Sequence, residues 1–189
     1  MMEGDYRTLE EREVDLIIAL LMGMPIAPDR MEAEVLYAAP RFVIAAKTNP
    51  LTRRRKVKLA DLMNEPWALP LPGSPMAAAD ADTFRAAGLE LPAATVMVGG
   101  SFVRMALVAE GRFLTIASEA ALRCAGRDLP ITALPTDLPE IRSPAAIVTL
   151  KNRTLTPVAQ LFIECARELA KPLTTGKPVS ARHRRVQQL

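Results

Sequence analysis

The sequence predicts an α/β protein, on three observations. Short runs rich in Val, Ile and Leu alternate along the chain with segments of helical periodicity, the pattern of strands interleaved with helices. Sixteen prolines, more than average usage gives, punctuate these runs and favour many chain reversals over a helical bundle. Half of the 189 residues are hydrophobic while only 4% are aromatic, so a sizeable core is available and must be built from Ala, Leu, Val, Ile and Met.

The elements follow in order. Val14 to Leu21 is an unbroken apolar run and predicts a strand buried on both faces of a largely parallel sheet. Glu34 to Lys47 is extended, and Pro40 within it implies an edge or a bend, because proline donates nothing to a ladder. A loop over Thr48–Lys58 leads to a short helix over Leu59–Asn64, ended by Pro66. Trp67–Leu71 predicts a strand, Pro72-Gly73-Ser74-Pro75 a turn, and Met76–Ala87 a helix closed by Gly88. Thr95–Val98 is a strand broken by Gly99-Gly100, after which Ser101 is placed to cap a helix that Gly111 ends. Phe113–Ala117 is extended, Ser118 caps a helix to Ala125, and Ile131–Leu134 and Ala145–Leu150 are extended. Thr156 and Pro157 open a last helix as N-cap and first residue, with Leu161, Cys165 and Leu169 on an apolar stripe and Pro172 as its stop. Residues from about Thr174 onward predict a disordered tail.

Composition narrows function mainly by exclusion. A net charge of +3 is too small for nucleic-acid binding over the whole surface. Two basic clusters, Arg53-Arg54-Arg55-Lys56 with Lys58 and the tail Arg182 to Arg185, read as solvated segments. Cys124 and Cys165 fit no metal spacing and no CxxC motif; free thiols in a reducing compartment are the simple reading, a redox switch the alternative. No signal peptide is recognisable and no apolar run is long enough for a bilayer, so a cytoplasmic location without membrane contact is expected. The sole histidine, His183, sits in the tail, away from any packed triad. Asp80 and Asp82 lie two apart on a helix and read as a solvated face. Nucleotide fingerprints are lacking, no cofactor or metal is implied, and no reaction suggests itself.

Binding remains. In Val98-Gly99-Gly100-Ser101-Phe102 a strand ends, glycines turn the backbone and a helix begins, so free amides and the positive helix end favour an anion. The Ser101 hydroxyl serves either as helix cap or as ligand contact. Pro72-Gly73-Ser74 offers a second loop at a strand end, and ligands in open α/β sheets sit beyond the carboxyl ends of strands.

Taken in order, these segments resemble the effector-binding domain of LysR-type transcriptional regulators. The stretch LEEREVDLIIA over Leu9–Ala19, Lys47-Thr48-Asn49-Pro50-Leu51 followed by Leu59-Ala60-Asp61-Leu62, Trp67-Ala68-Leu69-Pro70 with Gly73-Ser74, SFVRMALVAEG over Ser101–Gly111, and Thr156 to Phe162 carry the likeness across residues 8 to 172. Asn49 stands where the family often has histidine. The Trp-x-Leu-Pro feature looks closest to the subgroup that includes regulators of galactose-binding proteins and of aromatic catabolism.

The resemblance implies two Rossmann-like lobes of type II periplasmic-binding-protein architecture joined by two crossover strands. Lobe I would comprise residues 1–45 and 137–173, lobe II residues 46–136, and 174–189 the basic tail. A small-molecule effector, anionic or sugar-like, would meet Ser101, Phe102, Gly100, Gly73, Ser74, Leu20 with the loop after it, and Thr115. A homo-oligomer through effector domains is expected, with DNA reached only through a winged helix-turn-helix that this sequence lacks. It also lacks the family's first strand and most of its first helix, so an exposed strand edge, weak or no effector binding and no specific DNA binding are expected of this chain. The rival readings are a type II solute-binding protein of a transport system, an enzyme on the same scaffold, and a remnant that only oligomerises with full-length relatives.

Overall fold

The computed structural model describes residues 6–21, 26–139 and 142–174. The basic tail and part of the loop after Leu20 lie outside them. A single long strand, β2 (Met31–Ala46), organises the rest. Its first part, Met31 to Pro40, pairs antiparallel with β7 (Arg142–Leu150), whose other edge carries β1 (Ile17–Leu20). One extra residue, Leu36, bulges out between the Val35–Ala146 and Tyr37–Ala145 pairs. The second part, Arg41 to Ala46, pairs antiparallel with β5 (Thr115–Ser118) and β6 (Ile131–Ala133). Pro40 falls where β2 leaves β7 for β5, so its missing donor interrupts a hand-over rather than a ladder. A separate parallel pair, β3 (Ala68–Leu69) with β4 (Val96–Met97), joins this layer through a Trp67–Leu114 bridge.

Two expectations for the strands are corrected. The sheet built on β2 is antiparallel; parallel pairing is confined to β3–β4 and two isolated bridges. β1 is an edge strand whose residues alternate between half-buried and exposed, with Ile18 51% exposed. The segment covered on both faces is Val43 to Ala46, where Val43 and Ala45 pack among Trp67, Leu69 and Phe84 while Ile44 packs against Met105 and Val108. A third cluster gathers Tyr6 and Leu9, from and beside α1 (Arg7–Glu10), with Met31 and Val148.

Helix boundaries follow their caps. Ser74 opens α2 (Pro75–Ala86) by accepting from the Ala77 amide at 3.2 Å, and Gly88 beyond its end has φ +71°. Ser118 does the same for α4 (Glu119–Ala125) through Ala121, and Thr156 for α5 (Pro157–Thr174) through Ala159, each at 3.2 Å. Helix α3 runs Ser101–Ala109, and its N-cap is Gly100, not Ser101. The expected helix over Leu59–Asn64 is a single 3-10 turn, Leu59–Leu62, because Leu59 and Leu62 both turn inward before Pro66. Pro172 lies inside α5, within its last turn, where only one intrahelical donor is forfeited. The face of α5 is also corrected. Ala159, Ile163 and Ala170 are the buried residues, whereas Leu161 and Leu169 are 62% and 78% exposed and Cys165 is exposed. The alanines let the helix lie close on the sheet.

Candidate functional site

Parallel pairing of β3 with β4 delivers both following loops to one end of the layer. A bond from the Val98 amide to the Leu69 carbonyl at 2.9 Å carries the pairing to the last strand residue. The loops then touch: a Cβ on Gly99 would stand 3.2 Å from Leu71 Cδ1, so a side chain there would force the two loops apart. Gly73, with φ +78°, turns the first loop into α2. Gly73, Ser74, Gly100, Ser101 and Phe102 therefore lie on or beside neighbouring loops, each of which opens a helix. Exposed apolar groups rim them: Leu71 at 49%, Met97 at 52%, Phe102 at 61% and Val103 at 53%.

The two serines differ in what their hydroxyls do. Ser74 Oγ accepts from the Ala77 amide and donates to the Leu71 carbonyl at 2.7 Å, so both functions are used within the turn. Ser101 caps nothing. Its Oγ accepts from Arg104 Nη2 at 3.3 Å, and no described residue accepts its hydroxyl hydrogen. Thr115 stands deeper, one residue past the bridge to Trp67 and opposite Ile44; its Oγ1 is buried and makes no hydrogen bond. Leu20 is elsewhere, on β1 opposite Ala145, and no described contact links it to the two loops. An open groove between Glu32, Lys151 and Arg153 shares no residue with them either.

Beneath the loops lies buried charge that sequence reasoning missed. Asp80, expected on a solvated face, is fully buried, while Asp82 is exposed and pairs with Arg85. Arg41, buried on β2, donates from Nη2 to Asp80 and from Nη1 to Thr83 Oγ1 at 3.1 Å. Burial pushes the Asp80 carboxyl above its ordinary range, and the charges of Arg41 and then Arg104 oppose the shift. Arg104 is 3% exposed within an otherwise apolar helix, and that placement, SFVRMALVA, was the one signal available in the sequence. Among the described residues no group of three His, Cys, Asp or Glu side chains could hold a metal, and both cysteines are free thiols.

The architecture is that of solved effector-binding domains. The regulatory domain of CcmR from Synechocystis PCC6803, solved with 2-PG, superposes with a TM-score of 0.75 at 19% identity, over 93% of this chain and 83% of that one. The effector-binding domain of QuiR, solved with shikimate, gives 0.70 at 18% identity, over 89% and 77%. Full-length CbnR in complex with its target DNA gives 0.66 at 20% identity, over 87% of this chain and 56% of that one. This mixed helix and strand architecture is the type II periplasmic-binding-protein-like fold. The LysR substrate binding domain model matches residues 3–171, and the chain belongs to that family. The transcriptional dual regulator GltC of Bacillus subtilis (strain 168) is 25% identical over 164 residues, 86% of this chain; the chain spans 54% of that regulator's length. Family membership favours the regulatory reading over the transport one.

Proposed function

We propose that this chain is the effector-sensing domain of a LysR-type transcriptional regulator and that a small metabolite binds at the Gly73–Ser74 and Gly100–Phe102 loops. One observation carries the site: two loops in mutual contact at Leu71 and Gly99 each open a helix, and the Ser101 hydroxyl is not spent on capping. The uncapped amides at the start of α3 and an apolar rim suit a small ligand with one polar or charged group. Thr115 belongs to the proposal as a buried, unbonded hydroxyl in the same layer, and Leu20 as a contribution from the other lobe. The change of partners along β2, between Pro40 and Arg41, supports two lobes, of 1–45 with 137–173 and of 46–136, with the change of sheet a few residues before that limit. Ligand binding would bias the relative orientation of the lobes. In this reading the domain senses rather than catalyses, works in the cytoplasm, self-associates, and reaches DNA through an N-terminal domain of the full regulator. The relatives named as transcriptional regulators support it. No helix among the described residues is long and apolar enough to cross a membrane.

The test is a screen of small acids and sugars by thermal shift and amide chemical shift on the 189-residue chain. The expected result is weak, saturable binding by at least one compound, lost in Ser101→Ala. Saturable binding that Ser101→Ala leaves unchanged would overturn the assignment of the site.

A further inference from the structure

The contact that occupies Ser101 also fixes the direction of its hydroxyl. An arginine guanidinium holds only donors, so toward Arg104 Nη2 the Ser101 Oγ acts as acceptor, and its own hydrogen must point elsewhere. Arg104 Nη1 donates to the Val98 carbonyl at 3.3 Å, which ties the guanidinium to the end of β4 as well as to the start of α3. The side chain is buried, which leaves it little freedom to turn away. The Asp80 carboxyl lies near enough to feel the Arg104 charge. It is buried in α2, accepts from Arg41 through Oδ1, and keeps Oδ2 without a hydrogen bond. Thr83 completes the arrangement by passing its own hydrogen to the Ala79 carbonyl at 2.8 Å, so that it too accepts from Arg41.

We propose that Arg104 is a positioning and specificity-determining residue of the effector site, holding the Ser101 hydroxyl outward as a donor so that the site selects an oxyanion over a neutral isostere. This rests on the reading of the two loops as the effector site and narrows its ligand from "anionic or sugar-like" to anionic. The Ser101 hydroxyl and the free amides of the first turn of α3 would donate to one bound oxygen group, with the guanidinium charge behind them. Charge-assisted bonds of this kind discriminate sharply between a carboxylate and its amide, because the neutral group offers an acceptor of lower charge and a donor that meets no acceptor.

The probes are acetate and inorganic phosphate, with acetamide as the neutral isostere of acetate and sodium chloride at matched ionic strength as the control. Amide chemical shifts of the full chain are followed to saturation. Acetate or phosphate is expected to move the Gly100 to Val103 amides saturably, and acetamide is not. Arg104→Lys keeps the charge and loses the fork, and should weaken the anion roughly tenfold or more, the size expected for one charge-assisted bond. Arg104→Met should abolish the preference for acetate over acetamide. If Arg104→Met does not fold, Arg104→Lys and Arg104→Gln carry the test: both keep a polar side chain there, and Arg104→Gln, which removes the charge, should lose the preference for acetate over acetamide. Equal shifts with acetate and acetamide would leave the site standing and overturn its selectivity. Undiminished anion binding in Arg104→Lys would overturn the role of Arg104. Anion shifts confined to other regions, or none at these amides, would overturn the proposal together with the site beneath it.

Discussion

Asp80 is out of water on every side, and Arg41 is its bonded partner. Removing one member of a buried ion pair leaves the other charged and unsolvated, so Asp80→Ala should cost about 3–5 kcal/mol of stability in urea unfolding. The double change Arg41→Met with Asp80→Leu should recover much of that loss. The exposed Asp82–Arg85 pair is the contrast: side chains 60% and 73% exposed are screened by water, and Asp82→Ala should cost no more than about 1 kcal/mol. A smaller loss for Asp80→Ala than for Asp82→Ala would refute the buried pairing. Glu34 supplies a pH signature. The hydrogen bonds from Arg167 Nε and Nη2, both at 2.7 Å, hold its carboxyl below the ordinary value of 4.5. A carboxylate held low stabilises the fold above its ordinary value and loses that contribution as the pH falls through its folded value. The wild-type unfolding midpoint should therefore fall more steeply below pH 4.5 than that of Glu34→Gln, by a small margin because both side chains are half exposed.

Among the elements, the caps make the sharpest contrast. Ser74 and Ser118 each satisfy a first-turn amide, so replacing either with alanine should cost about 1 kcal/mol. Ser101 satisfies none, and Ser101→Ala should shift stability by no more than about 0.5 kcal/mol while it removes ligand binding. Thermal melts of the three variants decide this directly; a Ser101→Ala loss equal to that of Ser74→Ala would return the serine to a structural role. The openings at Ser118 and Thr156 were legible in the sequence, because Ser and Thr before a helical run carry their meaning locally; Ser74 read only as part of a turn, and Ser101 rather than Gly100 read as the cap of α3. Which hydroxyl was left free was not legible, since that depends on Arg104 folding back from one turn further along α3.

For the whole molecule, the uncovered apolar surface has a consequence in solution. Val158, Leu161, Phe162 and Leu169 form an exposed stripe along α5, and among the described residues β1 has an unpaired edge and exposes Ile18. Exposed apolar stripes and open strand edges promote association. Sedimentation velocity should show concentration-dependent self-association that the double change Leu161→Lys with Leu169→Lys reduces, with the melting temperature almost unmoved. Unchanged association would place the contact elsewhere on the surface.

The sequence by itself determined the order of strands and helices, the turns at Gly73, Gly88 and Gly111, the caps at Ser118 and Thr156, and the family. Each of these is written in residues a few positions apart, or in a series of such segments. Only the tertiary structure decided that β1 is an antiparallel edge strand, that α5 turns its alanines inward, and that Arg41 meets Asp80 across 39 positions of chain. Periodicity specifies that a helix has an apolar side but not what covers it, and an apolar run specifies a strand but not its neighbours. Those outcomes are settled by which surfaces meet when the whole chain packs.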